Sequence, residues 1–216
     1  MKTGAPISYM IAIVLMLVSC QNPEQAQESS TPTKGEPTVV DIMFEQGDSL
    51  SQIAQMALGK ALKGALQNGG VPEAIPYCNT QALPITDSLG DLFGIEIRRT
   101  ALRVRNPVNQ PIAAERQHLR NYQSMLDRGE ELVPQLEGLA NNKFLYSRPI
   151  LLQGMCTSCH GEVGKTIKEE EYALIRDHYP QDSAINFGVG DLRGMWSITF
   201  DLEKVQAAMT ATEPAP

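Results

Sequence analysis

The densest chemistry in the chain lies in five consecutive residues, Cys156-Thr157-Ser158-Cys159-His160, followed by Gly161. Two thiols three residues apart can reach the two vinyl groups of one porphyrin, and the imidazole that follows then lies under the iron. The pattern predicts one covalent haem c, attached through Cys156 and Cys159, with His160 as an axial ligand. Two other uses of paired cysteines fit less well. A redox disulfide of this spacing opens a helix in a thioredoxin-like βαβ unit, and no such unit is evident. A structural zinc needs two further paired ligands, and none is paired. On the residues alone the sixth ligand stays open among Cys78, His118, His178 and several Met. A Met would raise the reduction potential and a thiolate would lower it. Each candidate also has a plainer reading. His118 fits a helix boundary, His178 a cation at a helix C-terminus, and Cys78 a small buried hydrophobe.

The N-terminal residues bear on which compartment the thiols meet. Lys2 supplies a short positive region, and Ile7 to Val18 is an apolar run interrupted only by Ser8. The run is too short to span a bilayer comfortably and fits an export signal over 1–19. It ends Leu17-Val18-Ser19-Cys20, which resembles the bacterial lipobox, so Cys20 is expected to be lipidated and to anchor the protein by two acyl chains. Gln21 after it points to the outer membrane, where the cell has one. Residues 20–38 are expected to be the lipidated Cys and a disordered tether rich in Gln, Glu, Ser, Thr and Pro. The expected location is the periplasmic side of a bacterial membrane, held by lipid alone. That compartment is oxidising, so Cys78, left after lipid and haem are assigned, needs a reason to be there. The formal net charge of −7, with Lys and Arg scattered among acids, excludes nucleic acid as a partner.

Positioning the motif falls to an α+β domain expected over 39–205. Leu50, Ile53, Ala54, Ala57, Leu58, Ala61, Leu62, Ala65 and Leu66 form a helical stripe, with a capping box at Ser49 and Gln52 and a stop at Asn68-Gly69-Gly70. A short helix over about 73–82 holds Cys78, with another turn or two at 86–93. Residues 94–105 alternate like a strand and break at Asn106-Pro107. A helix over 112–127 should turn Leu119, Tyr122 and Leu126 inward. A strand is expected over 143–152, the haem motif on a loop, and a short helix over 169–178. Residues 184–190 and 192–201 read as a hairpin about Gly190-Asp191, and 206–216 as a disordered tail. Helices to one side of a small antiparallel sheet complete the expected architecture.

Several segments, taken in order, resemble a bacterial haem c domain family of PAS-like fold, long catalogued as a domain of unknown function. They are Ala74 to Ala82, Ile97 to Asn109, Tyr146 to Ile150, the C-x-x-C-H-G run, and Gly190 to Gly194. The family occurs as stand-alone exported proteins and as sensor-kinase ectodomains. The resemblance covers most of 50–200. It implies about five antiparallel strands flanked by helices, a haem near the C-terminal half, and an iron with His on one side and a Cys thiolate on the other. The matching cysteine is Cys78. Arg98, Arg99 and Arg105 fall on the matching Arg-rich strand and are candidates for haem propionates or for pairing with carboxylates. Many relatives continue into a membrane helix and signalling modules, whereas this chain stops after the domain, so sensing would pass to a separate partner protein. Three functions follow as expectations. The leading one is a redox or small-ligand sensor, with a diatomic gas among the candidate ligands. The alternative is a low-potential electron-transfer cytochrome with a redox partner. A haem enzyme such as a peroxidase needs an open iron position, which a bound Cys78 would close, so the protein is expected not to be an enzyme.

Overall fold

The computed structural model of the protein describes residues 36–212, and its first element starts at Thr38. The Thr38 hydroxyl accepts from the Asp41 N–H at 3.2 Å, and the Asp41 carboxylate accepts from the Thr38 N–H at 2.9 Å. This reciprocal cap satisfies N–H groups that the first turn leaves without partners. From it α1 (Val39–Phe93) runs to a sharp kink at Gly69 and Gly70. Gly70 has φ +70° and ψ −156°, a backbone state that residues with a Cβ rarely adopt. Pro72 opens the second half in a first turn, where its missing N–H costs little. That half ends at Gly94, left-handed at φ +65°.

Four antiparallel strands make one open sheet in the order β1-β4-β3-β2. They are β1 (Glu96–Thr100), β2 (Gln135–Gly138), β3 (Lys143–Leu151) and β4 (Leu192–Asp201). Alternation along the strands gives the sheet two different faces. On one, Met43, Leu50 and Ala54 of α1 pack against Ile97, Tyr146, Trp196, Ile198 and Phe200. On the other, Leu119 and Tyr122 of α2 (Ala113–Asp127) pack against Leu192 and Met195. A third cluster, Ile75 with Ile167, Ile175 and Tyr179, ties the second half of α1 to α4 (Glu169–His178). Each fully buried large side chain in these clusters contributes roughly 1.5–3 kcal/mol.

This is the expected α+β class, and it is compatible with a PAS-like fold. Several details differ, each for a local reason. Helix α1 begins at Val39 instead of near Ser49, because Thr38 and Asp41 supply the cap and Ser49 sits exposed inside the helix. The expected short helices at 73–82 and 86–93 are one continuous piece. The expected strand 94–105 pairs only as far as Thr100, opposite Met195. Beyond it the chain leaves the sheet, and the Val104 carbonyl accepts from the Ser183 N–H at 3.0 Å. Residues 184–190 form no strand, because β4 takes β1 and β3 as partners. Strand β2 was not foreseen, and the described residues hold four strands against about five expected. Residues 206–212, expected to be a disordered tail, instead continue α5 (Leu202–Thr212), with Val205 buried and Met209 packed on the α1 face, and 213–216 lie outside the described residues. The export signal, Cys20 and nearly all of the tether lie outside the described residues. No helix among the described residues is long and apolar enough to cross a membrane.

Candidate functional site

The C-x-x-C-H segment was expected on a loop and is more ordered than that. A 3-10 turn (Gly154–Cys156) leads directly into α3 (Thr157–His160), a single helical turn. The Thr157 hydroxyl donates to the Gly154 carbonyl at 2.7 Å and the Gly161 N–H to the Thr157 carbonyl at 2.8 Å, closing the turn from both ends. A helical turn places Cys156 and Cys159, three residues apart, on one face. Gly161 is required by packing: a Cβ there would run into the Thr166 side chain and the Thr157 carbonyl. Gly161→Ala is therefore expected to lower stability by roughly 1–3 kcal/mol in thermal melts.

The segment is held by the chain that was expected to be a hairpin strand. The Asn186 N–H donates to the Gly161 carbonyl at 2.7 Å, and the Phe187 N–H to the His160 carbonyl at 3.0 Å. Backbone groups that would have paired with β4 are spent on this strap. His160 Nδ1 lies 2.7 Å from the Ala184 carbonyl. A carbonyl only accepts, so Nδ1 carries the proton and Nε2 keeps its lone pair. Burial first, then the positive charges of Arg193 and Arg105, hold the His160 pKa well below the ordinary imidazole value. The ring is thus neutral at neutral pH, the state in which imidazole binds a metal. Phe187 stands edge-on to it, with centroids 6.5 Å apart.

Arg105 braces the segment from β1's extension. Its guanidinium pairs with the Asp182 carboxylate at 3.2 Å and donates to the carbonyls of Ala184, at 3.3 Å, and Cys159. The guanidinium can position backbone because its Nη2 reaches two carbonyls while Nε and Nη2 both hold the Asp182 carboxylate. The same guanidinium bears on Cys78, which comes from the second half of α1. Burial raises the Cys78 pKa, while Arg99 and Arg105 act to lower it. The Cys159 thiol is pushed up to about 11, chiefly by burial, with Arg105 opposing and Cys78 adding to the rise. Cys78 and the C-x-x-C-H segment therefore meet in one electrostatic neighbourhood, and all three thiols are free. Asn79, next to Cys78, donates to the His178 carbonyl at 3.3 Å and helps fix this approach.

The arginines singled out in the sequence separate. Arg98 faces α2, 3.8 Å from the buried Glu115 carboxylate, and donates to the carbonyls of Val108 and Gln110. Arg99 lies 5.8 Å from the Trp196 ring centre and forms no ion pair among the described residues. Burial lowers its pKa, and Cys78 and Tyr179 counter this. Neither of the other histidines is placed as a partner of His160. His118 is buried between Ser147, 2.8 Å from Nδ1, and Glu137, 2.8 Å from Nε2, with Tyr122 also bonded to Ser147. It links α2 to β2 and β3, so His118→Leu is expected to cost roughly 1–3 kcal/mol in chemical denaturation. His178 Nδ1 faces the Leu174 carbonyl of its own helix at 3.1 Å. Sequence reasoning gave no individual role to Arg103, Phe187 or Arg193, which also crowd this site. The signal available was the run Gly190 to Gly194, quoted only as a motif.

No curated protein matches the chain. Among solved structures, the crystal structure of the cyanobacterial haem protein Tll0287 is similar, with a TM-score of 0.54 and 26% sequence identity. The match covers 73% of this chain and 94% of that one. A family model described as Tll0287-like matches residues 14–200. That span takes in α1, the sheet, the C-x-x-C-H segment and each motif on which the resemblance rested, and on this ground the chain belongs to the Tll0287-like family.

Proposed function

We propose that this chain carries one haem c, linked covalently through Cys156 and Cys159 and ligated by His160 and Cys78, and that it acts as a redox or small-ligand sensor. The observation that carries the reading is the convergence of Cys78 with the C-x-x-C-H segment across nearly the whole domain. The donor set suits the group. Two free thiols share one face of a helical turn, a neutral imidazole has a free Nε2, and a third sulfur approaches from α1. Arg99 has no carboxylate partner among the described residues and suits a propionate. Arg105 is committed to Asp182 and to the backbone, so its part is to position. When bound, the haem supplies one-electron chemistry whose potential depends on its axial ligands. The protein's own residues fix the His160 tautomer through Ala184, shield the imidazole with Phe187, and present Cys78 on a helix half that is joined to the rest of α1 through Gly69 and Gly70.

That attachment favours the sensor reading. A sulfur on a helix segment set off by a glycine kink can leave and let its segment shift, and Leu89 and Gly90 of the same segment, packed by Ile95 and Ile97, would pass that shift to the sheet. A low-potential electron carrier is the alternative, and it requires one ligand set in both oxidation states. Optical and electron paramagnetic resonance spectra of ferric and ferrous protein separate the two. Loss of the thiolate signature on reduction, or on adding a diatomic gas, is the sensor result, and an unchanged ligand set is the carrier result. With the sixth position filled by Cys78, no enzymatic turnover is proposed. The reading extends to location: Cys20 carries a lipid anchor on the periplasmic side, and the signal passes to a separate signalling or redox partner protein. Release of the protein from membranes after Cys20→Ala tests this.

A further inference from the structure

A second concave feature lies beside the site, on the α2 side of the sheet. It is a pocket of about 370 Å³ whose walls include Leu102, Arg103, Leu119, Gln123, Phe187 and Arg193. Leu119 belongs to the cluster that α2 forms with the sheet. Arg99, by contrast, stacks near Trp196, which is in the α1 cluster, and it bears on Cys78.

Two guanidiniums share the pocket. That of Arg103 lies 3.7 Å from the Phe187 ring centre and that of Arg193 5.4 Å from the same ring. Arg103 donates to the Ile185 carbonyl at 3.0 Å, and Arg193 to the Arg103 carbonyl at 3.2 Å. Neither forms an ion pair among the described residues. The Arg193 Nε is buried with no hydrogen-bond partner. Asp191, also in the wall, is turned to its own loop, accepting from the Gly188 N–H at 2.7 Å. Like charges held close together with a buried unpaired donor are costly unless an anion joins them. Burial and the nearby Arg105 and Arg99 push Arg193 down to about 9, which still leaves it cationic at neutral pH.

The rest of the wall is mixed: the side chains of Leu102, Leu119 and Leu192 and the Phe187 ring are apolar, and Gln123 adds a neutral amide. A cavity where apolar side chains border convergent polar groups can hold a small amphipathic molecule, and a planar guanidinium fork matches a carboxylate. We infer that this pocket binds a small organic carboxylate, its charge against Arg103 and Arg193 and its apolar body against Leu102, Leu119 and Phe187. The inference does not rest on the iron ligands proposed above. Phe187 nevertheless joins the two sites, since it also stands against His160.

Benzoate is the probe, titrated calorimetrically into the purified protein at constant ionic strength set with chloride. Saturable binding of one benzoate per chain is expected, with no binding of the neutral isostere benzamide. Arg103→Gln should weaken it at least tenfold. Leu102→Trp fills the mouth from an exposed position and should abolish it, with optical spectra unchanged. Absence of saturable benzoate binding overturns the assignment. So does equal binding of benzamide, which would mark a plain apolar cavity, and so does binding of inorganic phosphate alone. A change in the haem optical spectrum of Arg103→Gln without benzoate would assign the guanidiniums to the haem and likewise sink it.

Discussion

In Cys78→Ser the reduction potential rises, by on the order of 0.1–0.3 V, and the ferric optical spectrum changes. A thiolate is anionic and soft, so it favours ferric iron over ferrous, and a serine hydroxyl replaces it poorly. Burial outweighs the nearby arginines and raises the Cys78 pKa, so a charged sulfur there depends on the iron. Burial opposes the thiolate, while Arg99 and Arg105 work against that opposition. The substitution is nearly isosteric at a partly buried position, so the fold should survive, and circular dichroism checks this. The His160 imidazole, fixed by Ala184, stays in place as the remaining protein ligand. A variant with an unchanged ferric spectrum and potential removes Cys78 from the iron.

Replacing Cys156 and Cys159 together by alanine abolishes covalent attachment. Mass measured under denaturing conditions then lacks the added macrocycle, whereas the natural sequence, made in a host with haem c maturation, carries it. Stability falls as well, because a group that binds only the folded chain no longer supports it. Arg99 also loses the anion proposed to neutralise it. A loss of several kcal/mol corresponds to a melting temperature lower by on the order of 10 °C for a domain of this size. The two readouts are independent. A natural-sequence protein without added mass would remove the covalent haem itself, even if the alanine variant melted early.

What the sequence disclosed follows the range of the interactions involved. Cys156, Cys159 and His160 are legible because their chemistry depends on spacing within five residues, and a helical turn delivers that spacing. Leu119 and Tyr122 were read as inward from periodicity, and both are buried. The break at Asn68-Gly69-Gly70 and the helix after it were visible, but not that this helix runs unbroken through Pro84 to Phe93, since packing outweighs local propensity there. Cys78 stood out as a leftover thiol but was preferred as a ligand only by resemblance, because its electrostatic approach to Cys159 joins distant parts of the chain. The early end of β1 and the strap at 184–187 depend on which strand β4 chooses, and alternation says nothing about partners. Arg193 was hidden for another reason. An unpaired buried arginine and a solvated one look alike in a sequence, and only the absence of a neighbouring carboxylate in space tells them apart.

The first half of α1 is anchored to the sheet through Met43, Leu50 and Ala54, and the second to α4 through Ile75 and to the sheet cluster through Leu89. Cys78 and His160 stand roughly eighty residues apart in the chain. A bond from each to one iron atom would act as a cross-link closing that long loop, and by analogy with a disulfide such closure is worth about 4 kcal/mol of chain entropy. On the sensor reading this staple differs from a disulfide in opening on a single electron, so resistance to proteolysis within residues 78–160 would itself follow the oxidation state.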